Sequence, residues 1–151
     1  CGLYAMNAAR LEKAFRHMGH DITPEDHVLE AGLGFAVALG KGAFTGREAV
    51  LRKREEGLAR RLLQFRLRDP GPLLYHAEPI LRDGRIVGHL SSGAYGHSVG
   101  GAVGMGYVPC AGEGAEALLA SAWEIDVAGA RVPADASLRA FHDPSGARMR
   151  V

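Results

Sequence analysis

Between residues 3 and 18 the apolar positions Leu3, Met6, Leu11, Ala14, Phe15 and Met18 recur mostly at steps of three and four. Arg10, Glu12, Lys13 and Arg16 fall between them, so the spacing predicts an amphipathic helix. Gly19 suits the position after its C-terminus. Thr23-Pro24-Glu25-Asp26 supplies a capping hydroxyl, a proline at a first helical position and acids in the first turn, predicting a short second helix that ends near Gly32. Residues 34–39 read as a strand and 40–42 as a turn. Thr45 and Glu48 form a capping-box pair for a helix from Gly46 to about Gly57.

The pattern then changes to short alternating runs at 61–68, 78–82 and 86–92, separated by Pro, Gly and Asp. Asp83-Gly84 between two such runs is a strong signal for a two-residue hairpin, because a type I′ turn needs positive φ at both central positions. Further strands are expected at 102–108, 120–127 and 131–138. Strands at this spacing suggest a barrel or sandwich. The expectation is therefore an α+β chain with a mixed unit over residues 1–57, a mostly β unit over 58–151 and no internal repeat.

Composition narrows the function classes. A chain of 151 residues is about one domain by size and long enough to bury a core. Its 18 basic and 17 acidic residues leave a net charge of +1, which gives no field to attract nucleic acid or an anionic membrane. Two cysteines without C-x-x-C spacing supply neither a disulfide framework nor a four-thiolate zinc site, so a reducing, cytoplasmic home is expected. The longest apolar runs fall well short of the ~20 residues that span a bilayer, and the N-terminus shows no signal-peptide pattern. Starting at Cys1 without an initiator Met, the sequence reads as cut or processed from something longer.

Candidate chemistry is sparse on these grounds. His17 and His20, with Asp21, Asp26 and His27 nearby, only loosely approach metal-ligand spacing; surface or capping histidines explain them better, and no metal is expected. The glycine-rich run from Gly93 to Gly106 matches no phosphate-binding fingerprint and reads as turns and close strand packing. Ser91, Ser92, His97 and Ser98 do not form a nucleophile elbow. Arg47, Arg52, Lys53, Arg54, Arg60 and Arg61 alternate with Glu48, Glu55 and Glu56, as on a solvated, ion-paired face. An amino-terminal nucleophile at Cys1 fits poorly, since a helix pattern follows at once where that fold begins with a strand. By periodicity alone Glu12 is no more than an i, i+4 partner of Arg16.

Several blocks taken in order change this. Gly2-Leu3-Tyr4-Ala5-Met6-Asn7-Ala8-Ala9-Arg10-Leu11-Glu12-Lys13, Gly19-His20-Asp21-Ile22-Thr23-Pro24, Leu29-Glu30-Ala31-Gly32-Leu33, Phe44-Thr45-Gly46-Arg47-Glu48, Ser91-Ser92-Gly93 and Gly104-Met105-Gly106-Tyr107-Val108 follow one another. Together they resemble the tetrahydrofolate-dependent aminomethyltransferase family. That family includes the glycine cleavage T-protein and the folate-binding regions of dimethylglycine and sarcosine dehydrogenases. The variant Arg10-Leu11-Glu12-Lys13, with Asp143-Pro144 near the end, is more similar to the dehydrogenase branch.

The resemblance implies the later part of a folate-binding domain over residues 1–57 and a C-terminal β-barrel domain over 58–151. It places the family's catalytic carboxylate upstream, so no catalytic residue is assigned here, and it places an FAD domain further upstream still. Glu12 is implied as the ligand of the pterin ring, Tyr4 as a wall of the same pocket, and Lys41 as a point charge near where the T-protein carries a folate-contacting arginine. The implied chemistry is flavin oxidation of a small N-methyl amine to an iminium and capture of the carbon by N5 of tetrahydrofolate, giving 5,10-methylenetetrahydrofolate. Two other readings stand beside it: a T-protein proper, and a non-enzymatic iron-sulfur assembly paralogue, whose hallmark thiol is replaced here by Ala43. Half a folate domain is also expected to expose Leu11 and Phe15 and to bind folate poorly on its own.

Overall fold

The computed structural model describes residues 1–150. Six strands, β1 (Arg60–Leu67), β2 (Pro79–Arg82), β3 (Arg85–Gly96), β4 (Gly101–Pro109), β5 (Trp123–Val127) and β6 (Ala130–Ser137), close into an antiparallel barrel in the order β1-β4-β3-β2-β5-β6. Asp83 (φ 50°) and Gly84 (φ 79°) make the predicted type I′ turn between β2 and β3. Ala128 and Gly129 repeat the device between β5 and β6.

The barrel interior is filled by Leu63, Phe65, Leu67, Ile80, Leu90, Val108, Trp123 and Ile125. On β4, Gly104 and Gly106 lie where a Cβ would meet Leu90 and Ile80 side chains, so their lack of one lets these large residues fill the interior. The alternate residues Val103 and Met105, with Leu62 of β1, form a second apolar cluster outside the barrel. Leu11 of the first helix covers that cluster, so β4 is covered on both faces and reads as a near-continuous apolar run.

The first helix, α1 (Leu3–Glu12), stops earlier than its periodicity predicts. Ala14 takes a left-handed φ of 53°, and the amides of Ala14 and Phe15 return to the carbonyls of Leu11 and Arg10, closing the helix in a Schellman turn. Leu11 is fully buried, contrary to expectation, while Phe15 is exposed; the exposed apolar face of α1 is instead Leu3, Tyr4 and Met6.

The second helix is absent. Thr23 and Asp26 bond to each other, Asp26 and Glu30 are drawn to Arg60, and residues 23–32 run as successive turns. The strand expected at 34–39 is a 3-10 turn at Gly34–Ala36, since a closed barrel offers no edge to pair with. A helix does follow, α2 (Arg47–Glu56), but its N-cap is left-handed Gly46 and no side chain caps it. A short helix, α3 (Ala115–Leu119), not anticipated from the sequence, precedes β5, so that strand begins at Trp123 rather than at 120. The Leu118 carbonyl accepts the Trp123 indole N–H at 3.2 Å. No helix among the described residues is long and apolar enough to cross a membrane.

Candidate functional site

The C-terminal end of α1 is fixed to the barrel by polar contacts from widely separated segments. Gln64, pointing out of β1, donates to the Leu11 carbonyl and accepts the Phe141 amide at 3.0 Å. The His142 amide donates to the Glu12 carbonyl at 3.2 Å, and Lys13 donates to both a carboxylate oxygen and the carbonyl of Asp143 at 2.9 Å. Two of these bonds, from Gln64 and His142, end on carbonyls of the last helical turn, Leu11 and Glu12.

Asp21 is a second anchor. Its fully buried carboxylate accepts from Arg10, from the Ser91 hydroxyl and from the His17 amide (2.8 Å), while Arg10 also donates to Ser92 at 2.8 Å. Arg10 and Asp21 therefore tie α1, the following loop and β3 together, and the apolar spacing that identified α1 carries no trace of this. Arg10, Asp21 and Ser91-Ser92 all stand in blocks that carry the resemblance, but nothing in the sequence paired them.

Glu12 ends α1 with its carboxylate buried. Its two oxygens accept from the amide and the hydroxyl of Ser98, the latter at 2.9 Å, in the turn between β3 and β4. The i, i+4 pair with Arg16 does not form; Arg16 instead donates to the carbonyls of Ala14 (2.7 Å) and Ala31 (3.0 Å).

A cavity of about 580 Å³ runs between α1, β3 and the 73–76 loop, lined by Tyr4, Ala8, Tyr75, His76, Tyr95 and His97 among others. Asn7, Tyr75, His76 and Gly93 also line a smaller neighbour of about 270 Å³, which His17, His20 and Arg10 complete. The His17 and His20 rings lie 4.6 Å apart. Ala8, one turn before Glu12 on the same helix face, and His97, next to Ser98, both line the larger cavity, whereas Glu12 itself is not among its lining residues.

The three residues singled out by sequence are thus differently placed. Tyr4 lies on the wall of the large cavity with its ring exposed, and Glu12 is buried outside that lining, held by Ser98. Lys41 is exposed beside Phe44, on a separate depression with Ala36, Val37 and Ala38. Tyr75, His76 and Tyr95 are lining residues that sequence reasoning passed over, and Ser98, weighed there only as part of a nucleophile elbow, is the contact of Glu12.

A charged cluster ties α2 and the 26–31 turn to the barrel. Glu30 accepts from Lys53 of α2 (2.9 Å) and Arg60 of β1 (3.1 Å), and Arg60 also pairs with Asp26 at 2.6 Å. Burial by itself would raise the Glu30 carboxyl, but the Lys53 and Arg60 hydrogen bonds and charges outweigh it and hold the group below the usual range. Arg60 lies 4.4 Å over the Tyr107 ring. Burial, aided by the Asp26 charge, pushes the Tyr107 hydroxyl up to about 12. The basic run of α2 therefore pairs in part with loop acids rather than only with its interleaved glutamates.

Comparison with known proteins agrees with this architecture. The family described as the glycine cleavage T-protein C-terminal barrel domain matches residues 60–143, and the GCVT N-terminal domain matches residues 1–41. Over 150 residues the chain is 39% identical to 4-methylaminobutanoate oxidase (formaldehyde-forming) of Paenarthrobacter nicotinovorans, covering 99% of this chain and 18% of that protein. It is 33% identical to mitochondrial sarcosine dehydrogenase of Homo sapiens, with 99% of this chain and 17% of that protein covered. The crystal structure of the glycine cleavage system aminomethyltransferase T from Bartonella henselae superposes with a TM-score of 0.72 at 26% identity, over 86% of this chain and 36% of that one. The chain spans less than a fifth of the length of these two curated relatives. A closed six-stranded barrel under an anchored helix, matched by that barrel-domain family over more than half of its residues, makes this chain a member of the glycine cleavage T-protein family.

Proposed function

We propose that this chain is the C-terminal, folate-side part of an N-methyl amine oxidative demethylase that passes the one-carbon unit to tetrahydrofolate. The observation that carries the reading is the similarity to two N-methyl amine oxidising enzymes along 99% of the chain, α1 and barrel alike. Amine oxidation and its FAD belong, in this reading, to the large part of such relatives that this chain does not span. Residues 1–57 would be the end of the folate-binding domain and 58–151 the barrel domain.

The residues present suit a folate. Glu12 offers carboxylate oxygens to the N–H edge of the aminopyrimidinone, a pairing of the same kind as carboxylate with guanidinium. Tyr4 offers a flat apolar face on a cavity of about 580 Å³, within the size range of ligand sites. Lys41, on a separate depression, is not brought to this cavity, so a point charge from it toward the folate finds no support in the fold. Tetrahydrofolate, when bound, supplies N5 as the nucleophile for a carbon at the formaldehyde level. The chain's part is to hold it beside the carbon source, where effective molarity replaces catalytic groups.

The test uses the full-length protein with sarcosine, dimethylglycine and 4-methylaminobutanoate as amines, with and without tetrahydrofolate. Formation of 5,10-methylenetetrahydrofolate with suppression of free formaldehyde supports the reading. Formaldehyde release that is unchanged by tetrahydrofolate refutes the folate role; the name of the P. nicotinovorans relative describes that protein as formaldehyde-forming. Aminomethyl transfer from a lipoyl carrier without amine oxidation would instead establish the aminomethyltransferase reading, which the likeness to the B. henselae enzyme favours.

A further inference from the structure

Glu12 and Glu30 are both buried glutamates, yet they are held in opposite ways. Glu30 meets two cations, Lys53 and Arg60, as a carboxylate buried for structural reasons normally does. Among the described residues Glu12 meets no cation within ion-pair distance. Its partners are two neutral donors of a single residue, the amide and the hydroxyl of Ser98, one to each carboxylate oxygen.

A carboxylate has about four lone-pair sites, and these two bonds use one on each oxygen. Two donors fixed on one residue also determine the plane of the carboxylate, which a single bond would leave free to turn. Gly96, in the same hairpin, gives the side chain its space: a Cβ there would lie 3.3 Å from Glu12 Cγ. The charge is therefore oriented but not neutralised, with one acceptor site left on each oxygen. That is the arrangement needed to receive a second, planar pair of N–H donors.

We propose that Ser98, 86 residues after Glu12 and on the barrel, is the positioning residue that orients the Glu12 carboxylate for the aminopyrimidinone edge of the folate. The proposal rests on the reading of Glu12 as the pterin ligand. It assigns to the barrel's β3–β4 turn a part in folate recognition: the ligand residue comes from α1 and its orientation from the barrel. Presetting a side chain removes an ordering cost that binding must otherwise meet.

The experiment is calorimetric titration of the full-length protein and its variants with tetrahydrofolate. Ser98→Ala, which keeps the amide but removes the hydroxyl, should raise Kd about three- to tenfold, the range expected for loss of one positioning hydrogen bond. Ser98→Thr, which keeps both donors, should restore binding. In a Glu12→Ala background, Ser98→Ala should change Kd no further, since it has no carboxylate left to orient. If Glu12→Ala destroys binding while Ser98→Ala matches wild type, the positioning role is wrong and Glu12 keeps its role as ligand. If Glu12→Ala binds as wild type, the ligand role falls and the proposal with it. If Ser98→Ala and Ser98→Thr weaken binding equally, and Ser98→Ala does so in the Glu12→Ala background too, the turn acts only as structure and the proposal is overturned.

Discussion

Replacement of Gly93 by alanine tests how tightly the 73–76 loop is seated on β3. A Cβ at this position would lie 2.7 Å from the backbone carbon and the Cβ of Leu74 and from the backbone nitrogen of Tyr75. Ordinary carbon contacts lie at about 3.5–4.0 Å, so the loop must retreat by roughly 1 Å. Two backbone atoms are among the obstacles, and no side-chain rotation relieves them.

Overpacking of this kind costs about 1–3 kcal/mol. An upper bound comes from Leu74, which the same loop buries fully and whose burial stabilises by about 1.5–3 kcal/mol. A loss near 2 kcal/mol is expected. With a urea m-value of roughly 2 kcal/mol/M, that moves the unfolding midpoint down by about 1 M. Fluorescence of Trp123, the one tryptophan of the chain, reports the transition from inside the barrel. Gly42→Ala is the control: a Cβ there meets nothing within 4 Å, and the substitution should be neutral to slightly stabilising. A Gly93→Ala midpoint within about 0.2 M of wild type would show that the loop yields freely, refuting a rigid wall for the two cavities that Gly93 lines.

Gln64→Leu should lower stability by about 1–3 kcal/mol in the same urea assay, because it strands the Phe141 amide and takes from the Leu11 carbonyl one of its two donors; a loss under about 0.5 kcal/mol would contradict the bridging role. Glu30 is held below its unfolded value, so its contribution is present above the ordinary glutamate range and is lost as pH falls through its lower folded value. Stability should therefore drop on acidification below about pH 4.3, and Glu30→Gln should flatten that part of the profile; an unchanged slope would exclude Glu30 as a source of the acid dependence. Tyr107, raised to about 12, contributes stability that is complete below the unfolded tyrosine value of about 10 and is lost as pH rises towards 12. Ultraviolet titration should show a late ionisation that is absent in Tyr107→Phe; since its buried hydroxyl has no partner among the described residues, this variant should otherwise be neutral or slightly more stable.

Most of the barrel was legible because its strands are local patterns with local punctuation. Alternation marks 61–68 and 131–138 within a residue or so of β1 and β6, and Asp83-Gly84 specifies its turn through a positive φ that few other pairs adopt. The order of blocks that resemble the family's, from the Arg10-Leu11-Glu12 run to Gly106-Tyr107-Val108, pointed to the family, and the barrel-domain match established it. Glu12 and Tyr4 were reached through that resemblance, since helical spacing offered only an i, i+4 partner for Glu12.

Tertiary structure decided the rest, in each case because a distant group outbid a local preference. Thr23-Pro24-Glu25-Asp26 has the composition of a helix start, but Arg60 claims Asp26 and Glu30, and their segment follows the barrel as turns. Residues 34–39 have strand character without a strand to join, because the barrel closes on itself. Leu11 looked stranded on half a domain, yet Leu62, Val103 and Met105 cover it from the outer face of the barrel. The Glu12–Ser98 contact joins residues 86 positions apart, and periodicity within a helix or a strand carries no information about which turn of a closed barrel will arrive beside which helix end. Local residue patterns specify local elements; closure of the barrel, by fixing where its turns lie, sets the orientation of the one carboxylate on which the folate reading depends.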